Sequence, residues 1–131
     1  MKLYSDGGAR GNPGPSAGAA ILLDVNGAQV FNIGEYFGIG TNNQAEYKGL
    51  LLGLTECLSR QILDLDCFLD SELIVKQLKG EYKVKDQTLS QLYQSVQMLL
   101  PKFAKVSFTH VPRSNNKLAD KKVNEILDQH Q

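Results

Sequence analysis

The chain has 131 residues, 42% of them hydrophobic, with 14 basic and 14 acidic side chains and no net charge. That size and composition argue against disorder and fit one domain, residues 1–131, built around one core. No apolar run approaches the roughly 18 residues a membrane span needs, and Met1 to Ser5 hold no signal-peptide segment, so a cytoplasmic monomer with no membrane partner is expected.

Charge is unevenly spread. Residues 1–75 carry four basic and nine acidic side chains, and residues 76–131 carry ten and five, so the halves stand at −5 and +5. Lys76, Lys79, Lys83 and Lys85, then Arg113, Lys117, Lys121 and Lys122, form the basic runs. Such runs are most simply solvated faces, though beside an acidic site they could track a phosphate backbone. Cys57 and Cys67 lie in apolar segments, match no zinc-ligand spacing and read as reduced core thiols.

Lys2 to Asp6 reads as a first strand ending in a carboxylate, and Gly7 to Pro15 as a glycine- and proline-rich loop. Ala17 to Asp24 is almost continuously apolar, which fits a strand buried on both faces. Asn26-Gly27 signals a hairpin into a third strand from about Ala28 to Phe37. A helix follows from Thr41, because Thr41-Asn42-Asn43-Gln44 fits the capping box. Glu46, Gly49, Leu50, Gly53 and Cys57 share one stripe of that helix. Each interior glycine costs about 1 kcal/mol relative to alanine, so two on one stripe point to close packing on a sheet. A fourth strand from about Leu63 to Asp70 again ends in a carboxylate. A short helix around Leu73 to Leu78, a break at Gly80, a helix from about Thr88 to Leu100 and a last strand from Val106 to His110 come next. Ser114 to Asn116 offer caps for a final helix packed through Ala119, Val123, Ile126 and Leu127. The order β-β-β-α-β-α-α-β-α describes an α/β chain, a meander joined to crossover units in a mixed sheet covered by helices.

Four carboxylates recur where a strand ends or a helix meets the sheet: Asp6, Glu46, Asp70 and Asp120. Acids are rarely buried without a partner. Oxygen-only ligation suits Mg²⁺ or Mn²⁺ better than zinc, which outlines a metal-dependent phosphoryl-transfer site. Each residue has a plainer reading. Asp6 fits an Asx turn, Asp70 a helix cap, Glu46 a structural ion pair and Asp120 a solvated helix face.

Four ordered motifs carry a family resemblance: Ser5-Asp6-Gly7-Gly8 with Gly11-Asn12-Pro13-Gly14-Pro15, then Thr41 to Glu46, Asp70-Ser71, and His110-Val111-Pro112-Arg113 with Asn116 and Ala119-Asp120. Together they resemble type 1 ribonuclease H from Lys2 to about Leu127. The resemblance implies a ribonuclease-H-like fold, a five-stranded mixed sheet in the order 3-2-1-4-5 with an antiparallel meander. It also implies an endonuclease that cuts the RNA strand of RNA–DNA hybrids and leaves 5′-phosphates. Asp6, Glu46, Asp70 and Asp120 would hold two Mg²⁺ ions, with Mn²⁺ as substitute. His110 corresponds to the family histidine that assists proton transfer or product release, although a locally bonded strand-end histidine reads equally simply.

Substrate contacts follow from the same resemblance. Gly11, Asn12, Asn42, Asn43 and Glu46 would read the RNA 2′-OH groups, and Arg113 would face phosphate. Thr41 resembles part of the phosphate pocket on the DNA strand, and serves as well as a cap. Glu72 stands where many relatives carry a glutamine on the RNA minor groove, which adds negative charge there. The chain has no tryptophan, so an aromatic platform for the DNA strand would fall to a residue such as Tyr82; this leaves room for weak cleavage of double-stranded RNA. Leu78 to Leu89 is too short for a basic protrusion, and no separate hybrid-binding domain is expected. The competing reading is a non-catalytic module of this fold that binds nucleic acid or protein.

Overall fold

A computed structural model describes residues 1–131. Strands β1 (Lys2–Ala9), β2 (Gly14–Leu23) and β3 (Gln29–Gly40) lead into helix α1 (Asn42–Ser59). Strand β4 (Asp64–Leu69), helices α2 (Glu72–Leu78) and α3 (Gln87–Leu99), strand β5 (Lys105–His110) and helix α4 (Lys117–Gln129) complete the chain. The sheet order is β3-β2-β1-β4-β5, with the β1–β2 and β2–β3 pairs antiparallel and β1–β4 and β4–β5 parallel. No helix is long and apolar enough to cross a membrane.

The expected element order holds, with shifts at the ends. One is in β1, which does not stop at Asp6 but continues through Gly7, Gly8 and Ala9 paired with Gly18, Ala17 and Ser16. Glycine is disfavoured in strands, so a Gly-Gly pair reads as a turn unless tertiary packing requires it. Here it does. A side chain on Gly7 would run into the Ala45 carbonyl of α1, and one on Gly49 into the carbonyl oxygen of Asp6. A side chain on Gly53 would meet Leu3 and Ala20. Bare backbone on both partners lets α1 lie directly on β1.

Two layers cover the sheet. On one face Leu3, Ala20, Leu22, Leu65, Cys67 and Leu69 meet Leu50, Leu54 and Cys57 of α1, with Ile74 and Val96 from α2 and α3. On the other, Ala17 and Ala19 meet Val123, Ile126 and Leu127 of α4, which accounts for the unbroken apolar run of β2. Both cysteines are free and buried, as expected, and burial pushes the Cys57 thiol up to about 11. Tyr4 of β1 stacks on Phe68 of β4 with ring centroids 5.0 Å apart, and the two residues are register partners. Side chains alternate along a strand, so two residues further on Asp6 and Asp70 share the face set by that pair.

Gly49→Ala inserts a methyl group against the β1 backbone, where neither partner is a flexible side chain. The expected cost is about 3 kcal/mol, the upper part of the usual range for overpacking. Urea denaturation checks this; a variant within 0.5 kcal/mol of the parent, on the order of a neutral surface change, would contradict the direct contact.

Candidate active site

Helix α1 begins as its sequence indicates. Gln44 N–H donates to Thr41 Oγ1 at 3.2 Å and Thr41 N–H donates to Gln44 Oε1 at 3.1 Å, the reciprocal capping box. The box starts the helix at Asn42, so Glu46 arrives on the buried stripe beside the contact between Gly7 and Ala45. Tyr47, next in sequence, donates its hydroxyl proton to Gln77 Oε1 at 2.6 Å and ties α1 to α2. Ser71 rather than Asp70 caps α2, accepting from Ile74 N–H at 3.3 Å, which leaves the Asp70 carboxylate free for other partners.

Oxygens of Asp6, Glu46 and Asp70 come within 4.8 Å of one another. Asp6 and Glu46 are buried and Asp70 is half-buried. Burial, with Asp70 nearby, pushes the Asp6 carboxyl up to about 7. Burial and the facing Asp6 hold Glu46 well above the usual carboxylate range. Asp70 is also raised, because burial outweighs its hydrogen bond from Asn116 and the charge of Arg113. Glu46 Oε2 is buried with no hydrogen-bond partner. Oxygen-only donors, mutual repulsion and an orphaned buried acceptor fit a hard divalent cation.

These carboxylates line a polar cavity of about 410 Å³ that Asp120, Arg113, Arg10 and Asn42 also reach. Asp120 enters from the first turn of α4 and accepts from Arg113 Nη2 at 3.1 Å. The cavity therefore collects the four acids and Arg113. Gly11 and Asn12 sit on the exposed β1–β2 turn, where Gly11 adopts φ 96°. Asn12 Oδ1 accepts from Asn42 N–H at 3.0 Å, and Asn42 Oδ1 accepts from Ala9 N–H at 2.8 Å, so the turn is stitched to the start of α1. Asn43 lies half-buried in the first turn of α1 and does not line the cavity. Nor do His110 and Glu72. His110 ends β5 opposite Leu69, exposed. Glu72 turns outward into an ion pair with Lys76 at 2.9 Å, which holds its carboxyl below the usual range and offsets the charge it was expected to add.

Two polar residues at the cavity, Arg10 and Asn124, were not singled out in the sequence. Arg10 reaches across to α4, pairing with Asp128 at 2.6 Å and donating to Asn124 Oδ1 at 3.4 Å. Asn124 Nδ2 in turn donates to the Asp120 carbonyl at 3.0 Å, so this clamp is continuous with the turn that presents Asp120. A lone arginine in a glycine-rich loop gave no signal of a partner 118 residues further on.

A reverse transcriptase-like family model matches residues 4–126. Ribonuclease HI of Halobacterium salinarum is 40% identical over 128 residues, covering 98% of this chain and 64% of that protein. A bifunctional protein of Mycobacterium tuberculosis is 36% identical over 127 residues, covering 96% of this chain and 35% of that one. The chain thus spans between about a third and two thirds of these relatives. The crystal structure of ribonuclease H1 from H. salinarum superposes with TM-score 0.95 at 39% identity, over 98% of this chain and 97% of that one. LC11 ribonuclease H1 in complex with an RNA/DNA hybrid superposes with TM-score 0.93 at 36% identity, over 98% and 97%.

The raised carboxyls fix the sign of a pH effect. Asp6 holds a proton in the fold up to about pH 7 but only to about 3.8 when unfolded. Metal-free protein should therefore lose stability as pH rises from 4 to 7, by at most about 4 kcal/mol from this residue. Asp6→Asn should flatten that slope and raise the melting temperature at pH 8 in EDTA. Thermal melts across pH check both, and a metal-free parent more stable at pH 8 than at pH 5 would overturn the account.

Proposed function

Because the chain belongs to the type 1 ribonuclease H family, we propose that it is an endonuclease hydrolysing the RNA strand of RNA–DNA hybrids with divalent metal. The observation that carries this reading is the convergence of Asp6, Glu46 and Asp70 within 4.8 Å in a cavity that Asp120 and Arg113 share. A module that only binds a partner gains nothing from clustering three mutually repelling acids, two of them buried.

Asp6, Glu46, Asp70 and Asp120 would hold two Mg²⁺ ions, or Mn²⁺ in their place. When bound, such ions supply the positive charge that lowers the pKa of water and neutralises phosphate in the transition state. The protein's own groups do the rest. Raised carboxyls mean that protons leave the cluster as cations enter, so binding tightens with pH. Arg113, on the exposed rim, can meet a non-bridging phosphate oxygen. Water adds to phosphorus, the bond from phosphorus to the 3′ oxygen breaks, and the products are a 3′-hydroxyl and a 5′-phosphate. His110, the register partner of Leu69 and exposed at the end of β5, would serve the departing 3′ oxygen or product release.

Selectivity for hybrid rests on the other rim. The stitched Gly11-Asn12 turn and the start of α1 present backbone and amide groups beside the acids, a fixed surface for 2′-OH groups in a minor groove. The hybrid-bound relative supports this assignment of the substrate. A duplex of DNA alone lacks those hydroxyls.

Chelation with EDTA should abolish cleavage of labelled hybrid, and Mg²⁺ or Mn²⁺ should restore it with 5′-phosphate products. Asp70→Asn should lower turnover by more than about 100-fold, beyond the 10–100-fold typical of losing a residue that only orients a ligand. Initial rates on hybrid should far exceed those on DNA duplex. Cleavage that survives thorough chelation, or equal rates on hybrid and DNA, would sink the proposal.

A further inference from the structure

Asn116 occupies the cap position of α4, yet its side chain caps nothing. It reaches instead into the fork between β1 and β4. Those strands pair in parallel as far as Tyr4 and Phe68; β4 then ends at Leu69 while β1 runs on to Ala9. The Ser5 carbonyl lies just beyond the last pair, and Asn116 Nδ2 donates to it at 2.8 Å. The same nitrogen donates to Asp70 Oδ2 at 3.3 Å. An amide nitrogen carries two hydrogens, so one goes to each strand. Both partners are acceptors, which fixes the orientation of the amide.

The backbone of Asn116 joins the same arrangement, since its carbonyl accepts from Asp120 N–H at 3.1 Å. One residue thus touches the neighbour of Asp6, the side chain of Asp70 and the main chain of Asp120. It is 1% exposed, so solvent does not compete for these bonds. Stability alone does not account for it. Asn116 Oδ1 is buried without a partner, and an unsatisfied buried oxygen costs about 1–3 kcal/mol that an apolar residue would avoid.

We infer that Asn116 is a positioning residue for the acidic site: its amide sets the separation of the strands bearing Asp6 and Asp70 and orients the Asp70 carboxylate for divalent cations. The inference rests on the metal-dependent reading above and concerns how tightly and in what geometry this chain binds the ion, not contact with nucleic acid. Groups that orient metal ligands typically change affinity by about 10–100-fold when lost.

The test is Mn²⁺ binding to the intact chain without nucleic acid, followed by electron paramagnetic resonance, for the parent and Asn116→Ala. The variant should bind Mn²⁺ about 10–100-fold more weakly, while KM for hybrid stays within about twofold of the parent because no substrate contact is lost. A folded variant that binds Mn²⁺ as the parent does, whether or not it melts lower, would assign Asn116 a merely structural role and overturn the inference. A parent that binds no Mn²⁺ would defeat the metal reading itself, a separate failure. Should Asn116→Ala not fold, the side-chain amide resonances of Asn116 in the parent serve instead. Both amide protons should shift with Mg²⁺ along the saturation curve of the site, and amide signals indifferent to Mg²⁺ would overturn the inference.

Discussion

Repulsion among three clustered carboxylates, two of them buried, is the constraint on which the rest of the structure depends. Asp6 and Glu46 cannot both be charged at close range in a buried site without opposing the fold, and their raised carboxyls express that opposition. The scaffold therefore has to bring together groups that would separate if they were free. It does so with backbone contact rather than with flexible side chains. Gly7 against Ala45 and Gly49 against the Asp6 carbonyl lock α1 to β1, and the Tyr4–Phe68 stack sets the register of β4 against the same strand. Elements held at this range cannot relax apart by changing a rotamer.

How legible this was depends on whether a feature is written locally. The capping box at Thr41 is read from four consecutive residues, and the structure contains both of its bonds. The stripe of Glu46, Gly49, Leu50, Gly53 and Cys57 follows from helical spacing, and every member is buried. The apolar run of β2 announced burial on two faces, and the two clusters of the core supply them. Sheet order lay beyond periodicity and came from the family resemblance, which the observed order β3-β2-β1-β4-β5 matches.

What was not legible is long-range in sequence. Gly7 and Gly8 read as a turn because their own propensity says so, and only the approach of α1 some 38 residues later turns them into strand. Asn116 read as a helix cap for the same local reason, while its amide is spent on residues 111 and 46 positions away. Arg10 gave no signal at all, since Asp128 lies near the other end of the chain. Even among the acids the sequence treated alike, the environments differ: Asp6 and Glu46 are enclosed, Asp70 is half-buried, and Asp120 is held by an exposed Arg113. Spacing identifies the residue types of a site but not the dielectric around each.

That gradient of burial has a chemical direction. The two enclosed acids sit at the β1–α1 contact, where a proton or a cation bound between them relieves their charge. Asp70 and Asp120 carry polar partners already, Asn116 for one and Arg113 for the other, so they can change partners without leaving a buried charge exposed. The inner pair is suited to an ion that stays. Under the proposed function the outer pair, with Arg113 at hand, would take ligands that exchange as a phosphate arrives and departs. A cluster of four equally buried acids would have no such order. Here the order is imposed by where β4 stops, because its end at Leu69 leaves Asp70 at the rim while β1 runs on to Ala9 and keeps Asp6, at the same level, within the sheet.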